Sequence, residues 1–336
     1  MNLRTTFRRS TIVAALGLAA GSAHAQLDYG AYGVLDLSYG RFEASGQVPF
    51  HRYNSNSLTA TFVGVNAKYG FDGGWAPGIT LETFLRFQDK DTGRNDNDPL
   101  LSRNAFVSLA SPYGLLRVGR LQSFLFDATV RFNAMGNSVA FSPAVRHIFA
   151  SGNLQGVQGD FYWDRAASYQ SPSLEGVSFS LMHAQAEKDF EGGQTGGTLV
   201  VNRGLLAVGL SAQRVKADDG IADPTDESAV QLGATYNFGI ARLFAQYTAT
   251  RDIGLDVRSK ITSAGVNIAF GPGNVLAQFA TAATEGPAVD RKQTSTSLAY
   301  VYPFDSVTDF YVIGMDDRVR GQTRGLSAAV GARYRF

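Results

Sequence analysis

Catalysis by a chain with no cysteine would fall to histidine, serine or paired carboxylates. Past residue 25 the histidines are His51, His147 and His183. None has a carboxylate or a second histidine at ligand spacing, so the sequence offers neither a metal site nor an acid–base pair. No G-x-S-x-G marks a nucleophilic serine. The run GGQTGG lacks the Gly-Lys-Ser/Thr of a phosphate loop and has no helix after it, so it reads as a flexible loop. The acidic run DDGIADPTDE does not have the carboxylate spacing of a calcium loop and reads as a solvated connection. These observations point to no catalytic residue, no metal and no cofactor.

What remains is charge set on alternating segments. Arg86 shares a face with Glu82 and Gln88, opposite Leu81, Leu85 and Phe87, and Arg117 lies opposite Leu116 and Val118. A guanidinium on the wet face of such a segment can attract anions and repel cations wherever an aqueous path is narrow. The plainer alternative for each is a solvated surface charge.

The elements that would position these groups have period two. In the closing segment Leu326, Ala328, Val330, Ala332, Tyr334 and Phe336 share one face, and Ser327, Ala329, Gly331, Arg333 and Arg335 the other. Similar alternation recurs from Tyr29 to Tyr39, Val230 to Phe238 and Ala264 to Phe270, and helical spacing fits these windows poorly. Turn signals such as SPYG, NFG and FGPG alternate with longer polar stretches, as in an array of up-and-down hairpins. The spacing predicts sixteen strands, beginning near Leu27, Leu58, Ile79, Leu101, Leu115, Tyr162, Val177, Thr198, Leu205, Ala229, Ala241, Lys260, Val275, Gln293, Thr308 and Arg324. The connection from Leu121 to Phe161 is far longer than ordinary loops of under ~15 residues. Its Phe, Gly and Arg content is not that of a disordered segment.

Composition decides what the apolar faces touch. Glycine makes up 37 of 336 residues and charged residues only 18%, against ~25% charged in an average soluble domain. A sandwich would put large, tightly packing residues on the apolar face. Here that face mixes Ala, Val and Leu with aromatics at strand ends, as a lipid-facing surface does. An open edge in hydrocarbon would leave unpaired backbone groups, each costing several kcal/mol, so the sheet must close, last strand on first. The expected fold is all-β, a sixteen-stranded antiparallel transmembrane barrel wide enough for a water-filled lumen.

The opening stretch, with Arg4, Arg8 and Arg9, a short apolar run and the small-x-small site Ala23-His24-Ala25, reads as a secretory signal spanning 1–25, with the barrel over 26–336. Removing it leaves 27 Lys+Arg, three fewer than 30, against 29 Asp+Glu. The balance is near neutral and dispersed, which sets nucleic-acid binding aside.

The stretch LLSRNAFVSLASPYGLLRVGRLQSFLFDA resembles the fourth and fifth strands of the Gram-negative general porins. RAASYQSPSLEGVSFSLMHA is similar to that family's Tyr-x-Ser-Pro strand pair, and AVQLGATYNFGIARLFAQYT to its Gly-Ala-x-Tyr-x-Phe-Gly hairpin. YGVLDLS and the final YRF fit as well, so the resemblance covers the whole chain past the signal. It implies trimers of sixteen-stranded barrels in the outer membrane of a Gram-negative bacterium. These would pass small hydrophilic solutes and ions by passive diffusion, among outer-membrane lipid and lipopolysaccharide. It further implies a third external loop, here about 121–161, folded inward with acids facing basic groups on the opposite wall.

By that resemblance Arg103 points into the lumen, which puts Asn104 outward and Val107 inward. Arg86, Arg103 and Arg117 would form a basic wall facing Asp127, with Arg131 and Arg146 on the loop itself. Asp127 serves either as a pore-lining acid or as a local capping residue. The family's Pro-Glu-Phe-Gly stretch is missing from the loop, which tilts the constriction toward mild anion preference. Tyr334 and Phe336 would anchor the interface, with Phe336 also part of the signal read by the outer-membrane assembly machinery. Two other readings stay open: a substrate-specific channel, kept alive by Phe124, Phe126 and Phe132, and a blocked barrel acting as adhesin or receptor.

Overall fold

A computed structural model describes residues 26–96, 98–150, 160–185, 191–218 and 225–336. The expected signal segment, 1–25, lies outside them. Sixteen long strands alternate up and down. The first five are β1 (Gln26–Phe42), β2 (Phe62–Gly70), β3 (Ala76–Arg86), β4 (Ala105–Ser111) and β5 (Gly114–Gln122). After the long connection come β6 (Tyr162–Gln170), β7 (Val177–Gln185), β8 (Glu191–Arg203), β9 (Leu206–Asp218), β10 (Thr225–Asn237) and β11 (Ala241–Asp252). The last five are β12 (Val257–Phe270), β13 (Gly273–Gly286), β14 (Val289–Pro303), β15 (Thr308–Val319) and β16 (Gly325–Arg335). Two short strands, Phe50–Asn54 and Asp91–Thr92, lie in the β1–β2 and β3–β4 connections.

Each long strand pairs antiparallel with the next, and β16 returns to β1 in a register running from Val34 opposite Arg335 to Arg41 opposite Ala328. Backbone bonds between Gly33 and Phe336 complete the seam. The barrel is closed, as burial of so many two-faced strands requires. Leu210, Leu232, Tyr247, Leu298, Val312 and Val330 are exposed on one face. The other face carries buried Ser211, Gln231, Gln246, Thr248, Ser263, Gln278 and Ser295. A greasy outside and a polar inside are the reverse of a water-soluble barrel. At the rim of short turns, Tyr69, Phe71, Phe238, Phe270, Phe304 and Phe310 stand outward.

Two segments depart from the sequence expectation. Leu58 does not open a strand: the buried Asp36 carboxylate accepts the backbone N–H groups of Ser57, Leu58 and Thr59. With those donors spent on Asp36, pairing of β2 resumes only at Phe62. The GGQTGG run is not a loop but the first half of β8, paired on both sides with β7 and β9. Ladder bonds on two sides override the low strand propensity of glycine.

Candidate pore constriction

Among the described residues of the long connection are two short helices, α1 (Phe124–Arg131) and α2 (Pro143–Phe149). The Ser123 and Ser142 hydroxyls accept the N–H groups of Phe126 and Val145, and Pro143 opens α2 with its preset φ. Both helices lie against the inward faces of the far strands. Thr129 takes a 2.9 Å bond from Gln231 on β10 and, at its carbonyl, one of 2.9 Å from Gln246 on β11. His147 meets Ser295 of β14 at 2.8 Å. Burial holds the His147 pKa down near 4, with Arg146 and Arg291 pushing the same way against Asp317.

Phe132, 1% exposed, occupies a slot in the wall that only glycine can leave open. A Cβ on Gly209 would lie 2.5 Å from its ring, and one on Gly233 2.3 Å. Ser138, further along the connection, bonds the Ser57 carbonyl of the β1–β2 loop. The connection is thus tied to the wall at several points between Thr129 and His147.

Arg86 points inward, as alternation predicts, but its charge is compensated. Asp89, Asp91 and Asp96 surround it at 3.0, 3.3 and 2.7 Å. Arg103 forms an ion pair with Glu82 and lies 3.9 Å from the Phe62 ring centroid. Glu82 also takes bonds of 2.6 Å from Tyr32 and Asn104. Arg117 is inward, between exposed Leu116 and Val118, and donates to Gln170 at 3.3 Å without an ion pair among the described residues. Asp127 stands exposed on the first turn of α1, held by the Gln122 amide. Arg103 and Arg117 are the cations whose fields reach it. Arg131 is held apart from them, its guanidinium donating to Asn202 near the end of β8 at 2.7 Å. Tyr334 and Phe336 are outward and stacked, ring centroids 6.0 Å apart.

Strict alternation fails at two places, and both place arginine. Arg103 N–H bonds the Glu82 carbonyl while the Asn104 carbonyl accepts the Glu82 N–H, so two residues face one. That is the count of a β-bulge, and it resets the faces. Asn104 therefore turns inward onto Glu82, and Val107 is 56% exposed on the outer face, correcting the expectation for both. The second irregularity falls where Asp164 and Arg165 of β6 lie opposite Arg120 of β5, with Arg165 at φ 50°. It brings Arg120 into the interior, bonded to Asp164 at 2.5 Å and to the Ser102 carbonyl at 3.0 Å. Sequence reasoning missed Arg120, and it also missed Arg94 of the β3–β4 loop, which pairs with Asp98 and with Asp160 at the end of the long connection. The Gly-Arg dipeptide at 119–120 is the one signal that could have marked the first.

Residues 11–322 match the family model described as Gram-negative porin. The chain belongs to the Gram-negative porin family. It is an outer-membrane porin, a passive channel closed by sixteen strands. Outer membrane porin protein 32 of Delftia acidovorans is 29% identical over 328 residues, covering 90% of this chain and 88% of that protein. The solved anion-selective porin from Comamonas acidovorans superposes with a TM-score of 0.78 at 21% identity, over 93% of this porin and all of that chain. OmpT of Vibrio cholerae, in its trimer form, gives 0.70 at 16% identity over 93% and 99%. Both superpositions carry the same fold.

Proposed function

We propose that this porin passes small hydrophilic solutes with a preference for anions, through a lumen narrowed by the 121–161 connection. The observation that carries the preference is the composition of the connection itself, which from 121 to 159 holds Arg131 and Arg146. Arg86, Arg94, Arg103 and Arg120 have carboxylate partners. Among the described residues Arg117 and Arg131 bond amide oxygens and no carboxylate. From 121 to 159 Asp127 is the sole carboxylate. In a low-dielectric, partly desolvated passage an excess guanidinium acts over several ångströms and favours chloride over potassium. The anion-selective relative from Comamonas supports the same reading.

We further read the protein as a homotrimer exported through a 1–25 signal, with Tyr334 and Phe336 at the membrane interface and Phe336 recognised during assembly. Its work is diffusion and not catalysis. The relative solved in its trimer form supports the homotrimer. Insertion of the purified mature protein into planar bilayers tests the assignment. Stepwise conductance grouped in threes is expected. A folded protein that leaves the bilayer insulating would refute it.

A further inference from the structure

A cavity of about 550 Å³ lies between α2 and the strands β14 and β15, at the end of the barrel that carries the long connections. Its charged lining is Arg146 of α2, Arg291 of β14 and Asp317 of β15, two guanidiniums against one carboxylate. Asp317 is 1% exposed and already accepts the Ser295 hydroxyl at 2.6 Å, the Gln293 amide at 2.8 Å and the Ser45 N–H at 3.1 Å. Arg146 approaches it to 3.7 Å. Arg291 forms no ion pair or hydrogen bond with any described residue. His147 beside them, with its pKa held near 4, is neutral at pH 7. The cavity therefore carries one net positive charge.

Most of the remaining polar lining is amide. Gln47 of the β1–β2 connection, Gln322 of the β15–β16 connection and Gln293 of β14 all line the cavity. The side-chain amides of Gln47 and Gln322 bond no described residue. Gln293 spends an N–H on Asp317 and keeps its carbonyl open. An amide offers a donor and an acceptor together. Chloride uses only the donors. A hydroxyl both gives and takes a hydrogen bond, so a hydroxylated solute can satisfy all three amides.

We propose that this cavity is a binding subsite for polyhydroxy monocarboxylates, sugar acids of the gluconate type. The carboxylate meets Arg291 and Arg146, and the hydroxyls meet Gln47, Gln293 and Gln322. Charge-assisted bonds from guanidinium to carboxylate are the strong ones, so Arg291 sets the affinity and the amides set the selectivity. A singly charged guest neutralises the cavity, whereas a second carboxylate would leave it net negative beside buried Asp317. The assignment rests on the channel reading above and names a solute class for it.

The test uses the full mature porin in planar bilayers carrying a chloride current, with gluconate, acetate, sorbitol and glucarate added in turn. Gluconate is expected to interrupt the current in a concentration-dependent way. Acetate lacks the hydroxyls, sorbitol lacks the charge and glucarate carries one charge too many, so each should act far more weakly. Arg291→Ala is expected to weaken the gluconate effect about tenfold, the usual worth of a charged hydrogen bond. Gln322→Ala, in an exposed connection, should weaken it a few-fold and leave the acetate response where it was, a change in discrimination that lost folding would not produce. Gluconate acting no differently from acetate or sorbitol, glucarate acting as well as gluconate, or conducting Arg291→Ala and Gln322→Ala channels with the parent's gluconate response would each overturn the subsite. A bilayer with no conductance at all would instead overturn the channel reading, and the subsite with it.

Discussion

Phe132 ties the stretch from 121 to 150 to the barrel wall. It is 1% exposed and fills the slot at Gly209 and Gly233. Truncating a buried phenylalanine to alanine costs about 3–5 kcal/mol. The barrel wall is held by its own continuous ladder, so the loss falls on docking of the connection. Each ~1.4 kcal/mol is a factor of ten, so the undocked fraction rises roughly 10²- to 10³-fold or more. Phe132→Ala should leave a heat-modifiable β-rich protein whose open channel is noisier and conducts more than the parent. The reciprocal change checks the geometry. Gly209→Ala puts a methyl 2.5 Å from the Phe132 ring and should also give a noisy channel. In the Phe132→Ala background the next neighbour is the Leu199 carbonyl at 3.7 Å, so the same methyl should add nothing. A folded Phe132→Ala channel with the parent's conductance and noise would refute the claim that this ring fixes the loop.

Two further predictions follow from the charged groups. Glu82→Gln leaves Arg103 paired with nothing ionic and loosens Tyr32 and Asn104. Thermal unfolding should show a loss of about 3 kcal/mol, the low end for breaking a buried pair, while anion preference increases because a guanidinium is uncovered. His147 sits near pKa 4 in the folded chain against an ordinary 6.5. Being depressed, it leaves stability unaffected above about pH 6.5. Below that, the unfolded or undocked state takes up a proton that the docked state refuses. Docking of α2 should therefore weaken progressively from pH 6.5 toward 4, by up to about 3 kcal/mol. Channel noise recorded across that range should rise, and His147→Gln should flatten the dependence.

The barrel was legible because alternation along a strand is a direct imprint of which side meets lipid. Counting from Leu85 and Leu116 puts Arg86 and Arg117 on the face opposite those leucines. Counting fails wherever one residue is inserted, since a single bulge inverts every face beyond it. That is why Asn104 and Val107 were assigned to the wrong sides and Arg120 was passed over. The run from Gly192 to Gly197 misled for a different reason: glycine signals a turn when judged alone, but here two neighbouring strands supply all the hydrogen bonds it needs. The slot for Phe132 was invisible because Gly209 and Gly233 are 24 residues apart in sequence and meet only through the sheet. Compensation of Arg86 by three aspartates likewise depends on how the β3–β4 loop folds back.

The zero-current potential across a KCl gradient tests the central claim most directly, since it weighs the charge at the narrowing without regard to pore width. With Arg131 and Arg146 outnumbering Asp127 on the connection, chloride should cross faster than potassium and leave the dilute compartment negative. A dilute compartment that turns positive would contradict the account.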